Sequence, residues 1–182
     1  MRAPAVAGFA CFDTALGTCA IAWGEQGIVG SQLPEADAAA TRARMQRRFP
    51  ALAEGEPPPA VRQAIAGVQA LLRGEPANLD VLTLDMSGHP EFHRRAWTLI
   101  RSLRPGQTAT YGEIAERLGE PGAARSVGRA MGDNPFAPIV PCHRVHAAGG
   151  AHGGFSAPGG VHTKLRMLAI EGAAPGGQGL LF

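Results

Sequence analysis

The stretch TYGEIAERLGEPGAARSVGRAMG, residues 110–132, contains two short amphipathic segments on either side of a glycine. At its start, Thr110 and Glu113 have the spacing of a capping box, in which the threonine hydroxyl accepts from the Glu113 N–H and the glutamate reaches back. This spacing predicts a helix that begins after Thr110. Apolar residues then recur at helical spacing as far as Leu118, and Gly119 ends the helix.

The second segment predicts another helix, which begins at Pro121, since proline is favoured at the first helical position, and ends at Gly132. Two short helices joined by a tight turn containing glycine form a helix-turn-helix, a frequent DNA-binding motif. Arg125 and Arg129 are four residues apart and share one helix face, where the small Ser126 would let a groove approach closely. A plain hairpin of two helices is the alternative interpretation.

A second informative segment, residues 141–145, reads Pro-Cys-His-Arg-Val. Pro138 and Pro141 frame it, and because proline has a fixed φ and no N–H donor, they predict a stiff, extended segment. Cys142 lies beside a histidine and an arginine. Positive charge of this kind lowers the pKa of a thiol and favours the thiolate, so the segment predicts a reactive cysteine.

The neighbouring His143 is the expected proton acceptor, but adjacency is unfavourable for direct contact with Cys142. On an extended segment adjacent side chains point to opposite faces, so proton transfer requires a bridging water or a local turn. A carboxylate behind the histidine would fix its tautomer, and Glu171 is the candidate. An incidental Cys-His pair is the alternative. Glu171 ends a helix predicted over residues 161–170, whose expected buried residues are Val161, Leu165, Leu168 and Ala169.

The chain has 182 residues, 45% of them hydrophobic and 18% charged, as in an ordinary globular protein with a buried core. Its net charge is only +2, but residues 89–182 carry 10 of the 17 basic side chains and all six histidines. This half is therefore the better candidate for contact with an anion such as a nucleic-acid backbone, although a solvated basic face has the same composition.

The three cysteines, Cys11, Cys19 and Cys142, are few and odd in number, which argues against a disulfide framework and for a reducing compartment, the cytoplasm. Cys11 and Cys19 lie in apolar surroundings and fit no metal spacing, so both are expected in the core. Residues 1–12 are interpreted as the start of a strand rather than a signal peptide, and no segment approaches the roughly 20 apolar residues of a membrane span.

The first half of the chain predicts a small α/β domain over residues 1–86. Turn residues divide residues 7–33 into a meander of three strands, and helices are expected over residues 34–48 and 61–72. Residues 81–84 are predicted to form a short buried strand. No polar cluster in this domain suggests chemistry, so we expect it to be a structural partner of the second domain.

The second domain is expected over residues 87–175 and is predicted to be mostly helical. A helix over residues 91–103 precedes the helix-turn-helix, and a glycine-rich loop, residues 149–160, follows the cysteine segment. That loop lacks the Gly-Lys-Ser/Thr ending of a phosphate-binding loop, but its backbone can approach a flat ligand. The last residues, 176–182, are interpreted as a loose tail.

The cysteine segment resembles the active-site signature of the O6-alkylguanine-DNA alkyltransferases, also called methylated-DNA–protein-cysteine methyltransferases. The resemblance extends over residues 89–172, and its motifs occur in order. They lie at residues 111–115, 123–131, 134–135, 139–145, 159–160 and 168–172. The resemblance implies a variable, ribonuclease-H-like first domain and a winged-helix-like second domain that contains the helix-turn-helix.

The resemblance also implies binding of double-stranded DNA that carries O6-alkylguanine, with the second helix of the motif in the minor groove. Arg125 would fill the gap left by the flipped base, which must leave the stack because its alkylated oxygen is otherwise unreachable. The implied DNA-binding residues are Ala123, Ala124, Arg125, Ser126, Gly128 and Arg129. His93 lies at the start of a predicted helix, and we expect it to contact phosphate.

The catalytic residues come from the same resemblance. Cys142 would accept the alkyl group, His143 would take the thiol proton through a water, and Glu171 would support the histidine. Tyr111 would donate to the guanine ring at N3, and Asn134 would brace the active-site turn.

Substrate contacts are implied for the backbone as well. The carbonyls of Cys142 and Val145 would accept from the guanine amine, and the Ser156 N–H would donate to the oxygen. Phe155 stands where the family often has tyrosine, so any contact from that hydroxyl is lost. A thioether is not readily hydrolysed, so the resemblance implies one transfer per molecule, by a monomer without metal or organic cofactor, associated with the nucleoid when bound to DNA. The first half has no histidine, so the zinc site of some members is not expected.

Two other functions are possible in principle. An alkyltransferase-like sensor would bind the lesion without transfer, but such proteins have lost the cysteine that Cys142 supplies here. A Cys-His hydrolase on an unrelated fold would require direct contact between His143 and Cys142, which adjacency disfavours.

Overall fold

The computed structural model of the chain describes residues 6–150 and 159–173. These residues form two compact units. The first unit consists of the chain up to Ser87 together with the separate segment Pro135–Ile139. The second unit consists of Gly88–Asn134 and the chain from Val140 onward. The segment that precedes the cysteine therefore packs as part of the first unit, whereas the cysteine itself belongs to the second.

The first unit contains the predicted meander. Strands β1 (Gly8–Thr14), β2 (Gly17–Gly24) and β3 (Gly27–Gln32) form one antiparallel sheet in sequence order. Thr14 pairs with Gly17 and Gly24 pairs with Gly27, so each turn contains two residues between the paired positions. Such short connections require unusual backbone angles, and both glycines on the far side of the turns have positive φ.

Two helices pack with this sheet, α1 (Ala38–Arg48) and α2 (Pro59–Leu72). Helix α1 begins four residues later than the predicted position, because Asp37 acts as the N-cap and its carboxylate accepts from the Ala40 N–H at 2.8 Å. The buried centre of the unit is apolar and includes Phe9, Ala20, Ala22 and Met45.

The strand predicted over residues 81–84 does not form. Only Leu84 pairs, in an isolated parallel bridge to Ile28, and Val81 is 61% exposed. The Ile28 N–H donates to the Thr83 carbonyl and its carbonyl accepts from the Asp85 N–H, so a single residue of β3 provides all of the pairing. A mostly apolar run of four residues is too short a pattern to distinguish a buried strand from such a bridge.

In the second unit, α3 (Glu91–Ile100) is followed by β4 (Ala109–Thr110), α4 (Tyr111–Arg117) and α5 (Ala124–Gly132). Helix α3 is three residues shorter than the prediction. It packs with α5 through the fully buried Trp97, whose indole N–H donates to the Ala130 carbonyl at 2.8 Å. The capping box of α4 is confirmed, since the Glu113 N–H donates to the Thr110 hydroxyl at 3.1 Å and the Glu113 carboxylate accepts from the Thr110 N–H at 2.7 Å.

The predicted start of α5 at Pro121 is wrong, because the helix begins at Ala124. Gly122, the residue after the proline, has a φ of +94°, which is incompatible with a right-handed helix and turns the chain instead. The two helices remain a helix-turn-helix with a longer turn than expected.

The last described helix is α6 (Gly160–Ile170), and its burial differs from the prediction. Lys164, Met167 and Leu168 are its buried residues, whereas Val161 is 38% exposed. The buried face of α6 therefore differs from the predicted one. It includes Lys164, a charged residue that the apolar pattern had placed outside the buried face. Among the described residues, no helix has the length and apolar character required to cross a membrane.

Candidate active site

The cysteine segment is a single 3-10 turn, Cys142–Arg144, rather than the extended segment predicted from the sequence. The Cys142 N–H donates to the Val140 carbonyl at 2.8 Å, and the Arg144 N–H donates to the Pro141 carbonyl at 3.0 Å. The chain then enters β5 (Val145–His146), which pairs in parallel with β4. The prolines thus produce a stiff turn instead of a straight segment, and the turn fixes the direction of each side chain in it.

His143, Arg144 and Glu171 form a buried hydrogen-bonded cluster. The His143 Nε2 lies 2.6 Å from the Glu171 Oε1, and the two side chains are 1% and 3% exposed. Arg144 donates to both carboxylate oxygens, from Nε at 2.9 Å and from Nη2 at 2.8 Å, and its Nη1 donates to the Leu103 carbonyl at 2.6 Å. The structure therefore brings Glu171 to His143, and it adds an arginine clamp on the same carboxylate.

Glu171 is held as an anion by its partners. Burial alone would raise the pKa of the Glu171 carboxyl, but hydrogen bonds and charge from His143 and Arg144 lower it to about 2. For His143, burial dominates and lowers the pKa of the imidazole, although the Glu171 hydrogen bond opposes this. A neutral imidazole next to a carboxylate places its proton on Nε2, so Nδ1 is left as an acceptor.

Cys142 is a buried residue, 7% exposed, and the pKa of its thiol is raised rather than lowered. Burial is the dominant cause, and the hydrogen bond from Asn134 and the charge of Lys164 only partly offset it. The expectation of a resting thiolate beside positive charge is therefore wrong. The adjacent arginine is committed to Glu171, and desolvation disfavours a charged sulfur. Reaction at this sulfur consequently requires a base.

Asn134 contacts the chain immediately before the turn. Its Nδ2 donates to the Val140 carbonyl at 2.9 Å, and the same carbonyl accepts from the Cys142 N–H. Both bonds together fix the backbone on the N-terminal side of the cysteine.

Tyr111 is the first residue of α4, and its ring lies beside the backbone of Gly128 on α5. A Cβ added at Gly128 would stand 3.7 Å from the ring. Burial, and secondarily the charge of Cys142, raises the pKa of the Tyr111 hydroxyl. The Tyr111 hydroxyl therefore stays protonated at neutral pH.

The face of α5 that was predicted to contact DNA is open. Arg125, Ser126 and Arg129 are exposed, whereas Val127 and Ala130 on the opposite side are fully buried. The predicted contacts Ala123, Ala124 and Gly128 are half-buried. His93 is less available, because its Nε2 lies 2.9 Å from the Asp133 carboxylate and its side chain is only 13% exposed. Ser156, Phe155 and most of the glycine-rich loop lie outside the described residues.

Within the described residues, no group of three histidine, cysteine or acidic side chains could hold a metal ion. Cys19 is buried in the first unit, where desolvation raises the pKa of its thiol to about 12 despite a hydrogen bond between the thiol and the Thr14 hydroxyl. It is therefore inert.

Comparison with known proteins places this site in a family. Residues 91–173 match the family described as 6-O-methylguanine DNA methyltransferase, DNA binding domain. A methylated-DNA–protein-cysteine methyltransferase from Mycolicibacterium paratuberculosis is 45% identical over 116 residues, which cover 64% of this chain and 68% of the relative. The chain belongs to the methylated-DNA–protein-cysteine methyltransferase family.

Solved structures of methylated-DNA–protein-cysteine methyltransferases agree with the computed fold. The crystal structure of Mycobacterium tuberculosis OGT in complex with DNA is 32% identical, with a TM-score of 0.72 over 90% of this chain and 92% of that one. The structure of the Mycobacterium tuberculosis O6-methylguanine methyltransferase is also 32% identical, with a TM-score of 0.73 over 93% and 95% of the two chains. The similarity includes both halves of the chain, although the family match covers only the second.

Two buried side chains that contact the cysteine segment or its partners were missed from the sequence. Lys164 is 1% exposed, and its Nζ donates to the Val145 carbonyl at 2.8 Å. Arg144 was regarded only as a source of positive charge. A signal for the lysine was present, because Lys164 is the chain's single lysine and lies four and seven residues before Leu168 and Glu171, on one helix face.

Proposed function

We propose that Cys142 accepts an alkyl group directly from O6-alkylguanine in double-stranded DNA and keeps it permanently. Family membership establishes DNA repair by alkyl transfer as the activity. The observation that supports Cys142 as the acceptor is the buried cluster beside it, in which Glu171 and Arg144 orient a neutral His143. This arrangement provides the base that a buried, protonated thiol requires.

The proton on the thiol leaves first in this mechanism. Because Glu171 occupies Nε2 of His143, the free Nδ1 takes the Cys142 proton through a bridging water, and the anionic carboxylate stabilises the imidazolium that results. The sulfur then attacks the alkyl carbon in line with the C–O6 bond. A carbon–sulfur bond forms, and the electron pair of the broken carbon–oxygen bond passes to the guanine.

Tyr111 supplies the proton that the leaving guanine requires. Its hydroxyl, kept protonated by burial, donates its proton to N3 of the departing guanine. Proton return from His143 through solvent restores the tyrosine, so the products are neutral guanine and an S-alkylcysteine. The thioether has no nucleophile to reverse it, so each molecule acts once, without metal or organic cofactor.

The base reaches Cys142 by flipping out of the duplex. Helix α5 enters the minor groove with its open face, and Arg125 occupies the space that the base leaves in the stack. Arg129 and Ser126 contact the backbone, with Ala123, Ala124 and Gly128 allowing close approach. His93 contributes only if it exchanges Asp133 for a phosphate.

Recognition of the flipped guanine relies on the backbone. The carbonyls of Cys142 and Val145 accept from the exocyclic amine, and the Ser156 N–H donates to the oxygen. The Val145 carbonyl can accept from Lys164 and from the guanine amine together, because its oxygen has two lone pairs and the ammonium uses only one. The protein works as a cytoplasmic monomer, with a ribonuclease-H-like first unit and a winged-helix-like second unit.

The test is a mass measurement on the peptide that contains Cys142. Incubation with duplex DNA carrying O6-methylguanine should add one methyl group per protein molecule and no more, and Cys142→Ser should abolish the gain. An unmodified Cys142 with lesion DNA bound would instead identify a sensor. Repeated turnover of an acyl substrate would identify a hydrolase.

A further inference from the structure

The segment Pro135–Ile139, which leads to the active-site turn, is fixed by hydrogen bonds within the first unit. The Ser31 N–H donates to the Pro135 carbonyl at 2.8 Å, and the Ser31 hydroxyl donates to the Ala137 carbonyl at 2.7 Å. Ile139 is 2% exposed. One residue of β3 therefore holds two carbonyls of this segment.

Arg48, the last residue of α1, adds a cation to the same position. Its Nη2 donates to the Pro135 carbonyl at 3.1 Å, and its Nη1 donates to the Ser31 carbonyl at 2.9 Å and to the Gln32 side chain at 3.1 Å. The Pro135 carbonyl thus accepts from two donors at once. The Arg48 guanidinium therefore connects α1 to β3 and to the segment Pro135–Ile139.

This arginine is half-buried without a carboxylate partner among the described residues, since its hydrogen-bond acceptors there are neutral groups. Burial, reinforced by the nearby Arg44, lowers the pKa of Arg48 to about 10, so it stays charged at neutral pH. A desolvated cation without a counter-ion lowers stability unless its hydrogen bonds offset the cost. In this structure the offsetting hydrogen bonds are those to the Ser31 and Pro135 carbonyls and to the Gln32 side chain.

The backbone is adapted to make room for this side chain. A Cβ added at Gly30 would stand 2.6 Å from the Phe49 ring and 2.9 Å from Nη2 of Arg48. The guanidinium also lies over that ring, 5.0 Å from its centroid. The position of the arginine is thus defined on several sides.

The segment's two ends are the residues that shape the active-site turn. Asn134, immediately before it, donates to the carbonyl of Val140, immediately after it. That carbonyl also accepts from the Cys142 N–H. Any change in the path of Pro135–Ile139 therefore moves the donor and the acceptor that fix the backbone of the cysteine.

We propose that Arg48, together with Ser31, is a positioning residue for Cys142 and acts through the segment Pro135–Ile139. The first unit then has a role in the transfer reaction, because it sets the path of the chain that carries the nucleophile. This inference rests on the proposed function, in which Cys142 is the alkyl acceptor. It assigns no contact with DNA or the alkylated base to Arg48.

The experiment compares Arg48→Met with Arg44→Met. Arg44 lies on the same helix, is exposed, and bonds Gln32 and Glu35, so its replacement removes the same charge and leaves the segment's hydrogen bonds intact. Three quantities are measured for each: the single-turnover rate of transfer from the free base O6-benzylguanine to Cys142, the Kd for undamaged duplex DNA, and the thermal unfolding curve.

Arg48→Met should slow transfer at least tenfold at a temperature where it is fully folded, while its Kd for DNA stays within twofold of the unmodified protein. Arg44→Met should change neither. Arg48→Lys should recover part of the rate, because an ammonium can still donate to the Pro135 carbonyl. A purely structural role would lower the unfolding temperature and leave the rate of the folded protein unchanged.

Ser31→Ala provides a second variant that removes one hydrogen bond and no charge. Ser31→Ala should slow transfer severalfold. If Arg48→Met does not fold, the rate of Ser31→Ala alone tests the positioning role. Transfer within twofold of the unmodified rate in a folded Arg48 or Ser31 variant would overturn the positioning role. Absence of alkylated Cys142 in the unmodified protein would instead contradict the proposed function.

Discussion

The buried ammonium of Lys164 is bound to the backbone carbonyl of Val145 at 2.8 Å. Burial lowers the pKa of Lys164, and the neighbouring Cys142 opposes this change. A single cation thus contacts the carbonyl expected to bind guanine and lies within electrostatic range of the sulfur.

Replacement of Lys164 should therefore slow alkyl transfer even under conditions in which the variant is fully folded. Lys164→Met removes the hydrogen bond that orients the Val145 carbonyl and a positive charge near Cys142, so single-turnover transfer should fall about tenfold or more. Rapid-quench measurement with labelled O6-methylguanine DNA checks this. His162→Gln, an exposed change on the same helix, is the control and should have no effect. An unaltered rate in folded Lys164→Met would contradict the role.

Glu171→Gln should disrupt both the histidine and the arginine. Removal of one charge from a buried pair leaves the other uncompensated and typically costs about 3–5 kcal/mol, measurable by urea unfolding. Transfer should also slow, since Nε2 of His143 loses its anionic partner. Glu116→Gln, exposed on α4, is the matched control.

The same carboxylate predicts how stability depends on pH. The folded pKa of about 2 lies below the ordinary value of 4.5, so the contribution of Glu171 to stability is complete above pH 4.5 and is lost as the pH falls toward 2. Glu171→Gln should remove this dependence in that range. A difference between the two unfolding free energies that stays constant from pH 5 to pH 3 would rule it out.

Transfer itself should show a plateau near neutral pH. The pKa of His143 is below its ordinary 6.5 and that of Cys142 above its ordinary 9.0, so the reactive combination of neutral imidazole and thiol persists between these values. The rate should decrease on the acidic side, as the imidazole takes up a proton and can no longer act as base, and increase above pH 9 as thiolate forms. A rate that rises tenfold from pH 6.5 to 7.5 would indicate a free thiolate instead. The free base O6-benzylguanine is the suitable substrate, since it excludes effects on DNA binding.

Arg125→Ala should separate base flipping from chemistry. Unstacking a base costs a few kcal/mol, so loss of the side chain that fills the gap should slow transfer from duplex DNA tenfold or more. Transfer from O6-benzylguanine should be unchanged. Arg117→Ala removes an exposed arginine from α4 and should affect neither substrate strongly. Equal losses on both substrates would refute the role of Arg125.

Local signals predicted much of this structure correctly. The Thr110–Glu113 capping box, the meander and the helix-turn-helix follow from interactions between residues close in sequence, and each is observed. The start of α5 was misjudged, because the favourable position of Pro121 did not reveal the positive φ of the next glycine.

Long-range packing explains what the sequence did not reveal. The raised pKa of Cys142 depends on desolvation by distant residues, whereas the sequence displayed only its charged neighbours. The buried Lys164 contradicts the usual exposure of lysine, and its partner Val145 is 19 residues away. The attachment of Pro135–Ile139 to Ser31 spans more than 100 residues and leaves no periodic signal.

Burial of Cys142 also determines how the protein survives between lesions. A protein that reacts once is lost if its sulfur meets a stray oxidant or a soluble electrophile, and such damage requires an exposed thiolate. Cys142 is buried and the pKa of its thiol is raised, so both conditions for such damage are disfavoured. The low reactivity of the buried thiol thus preserves Cys142 until an alkylated base reaches it.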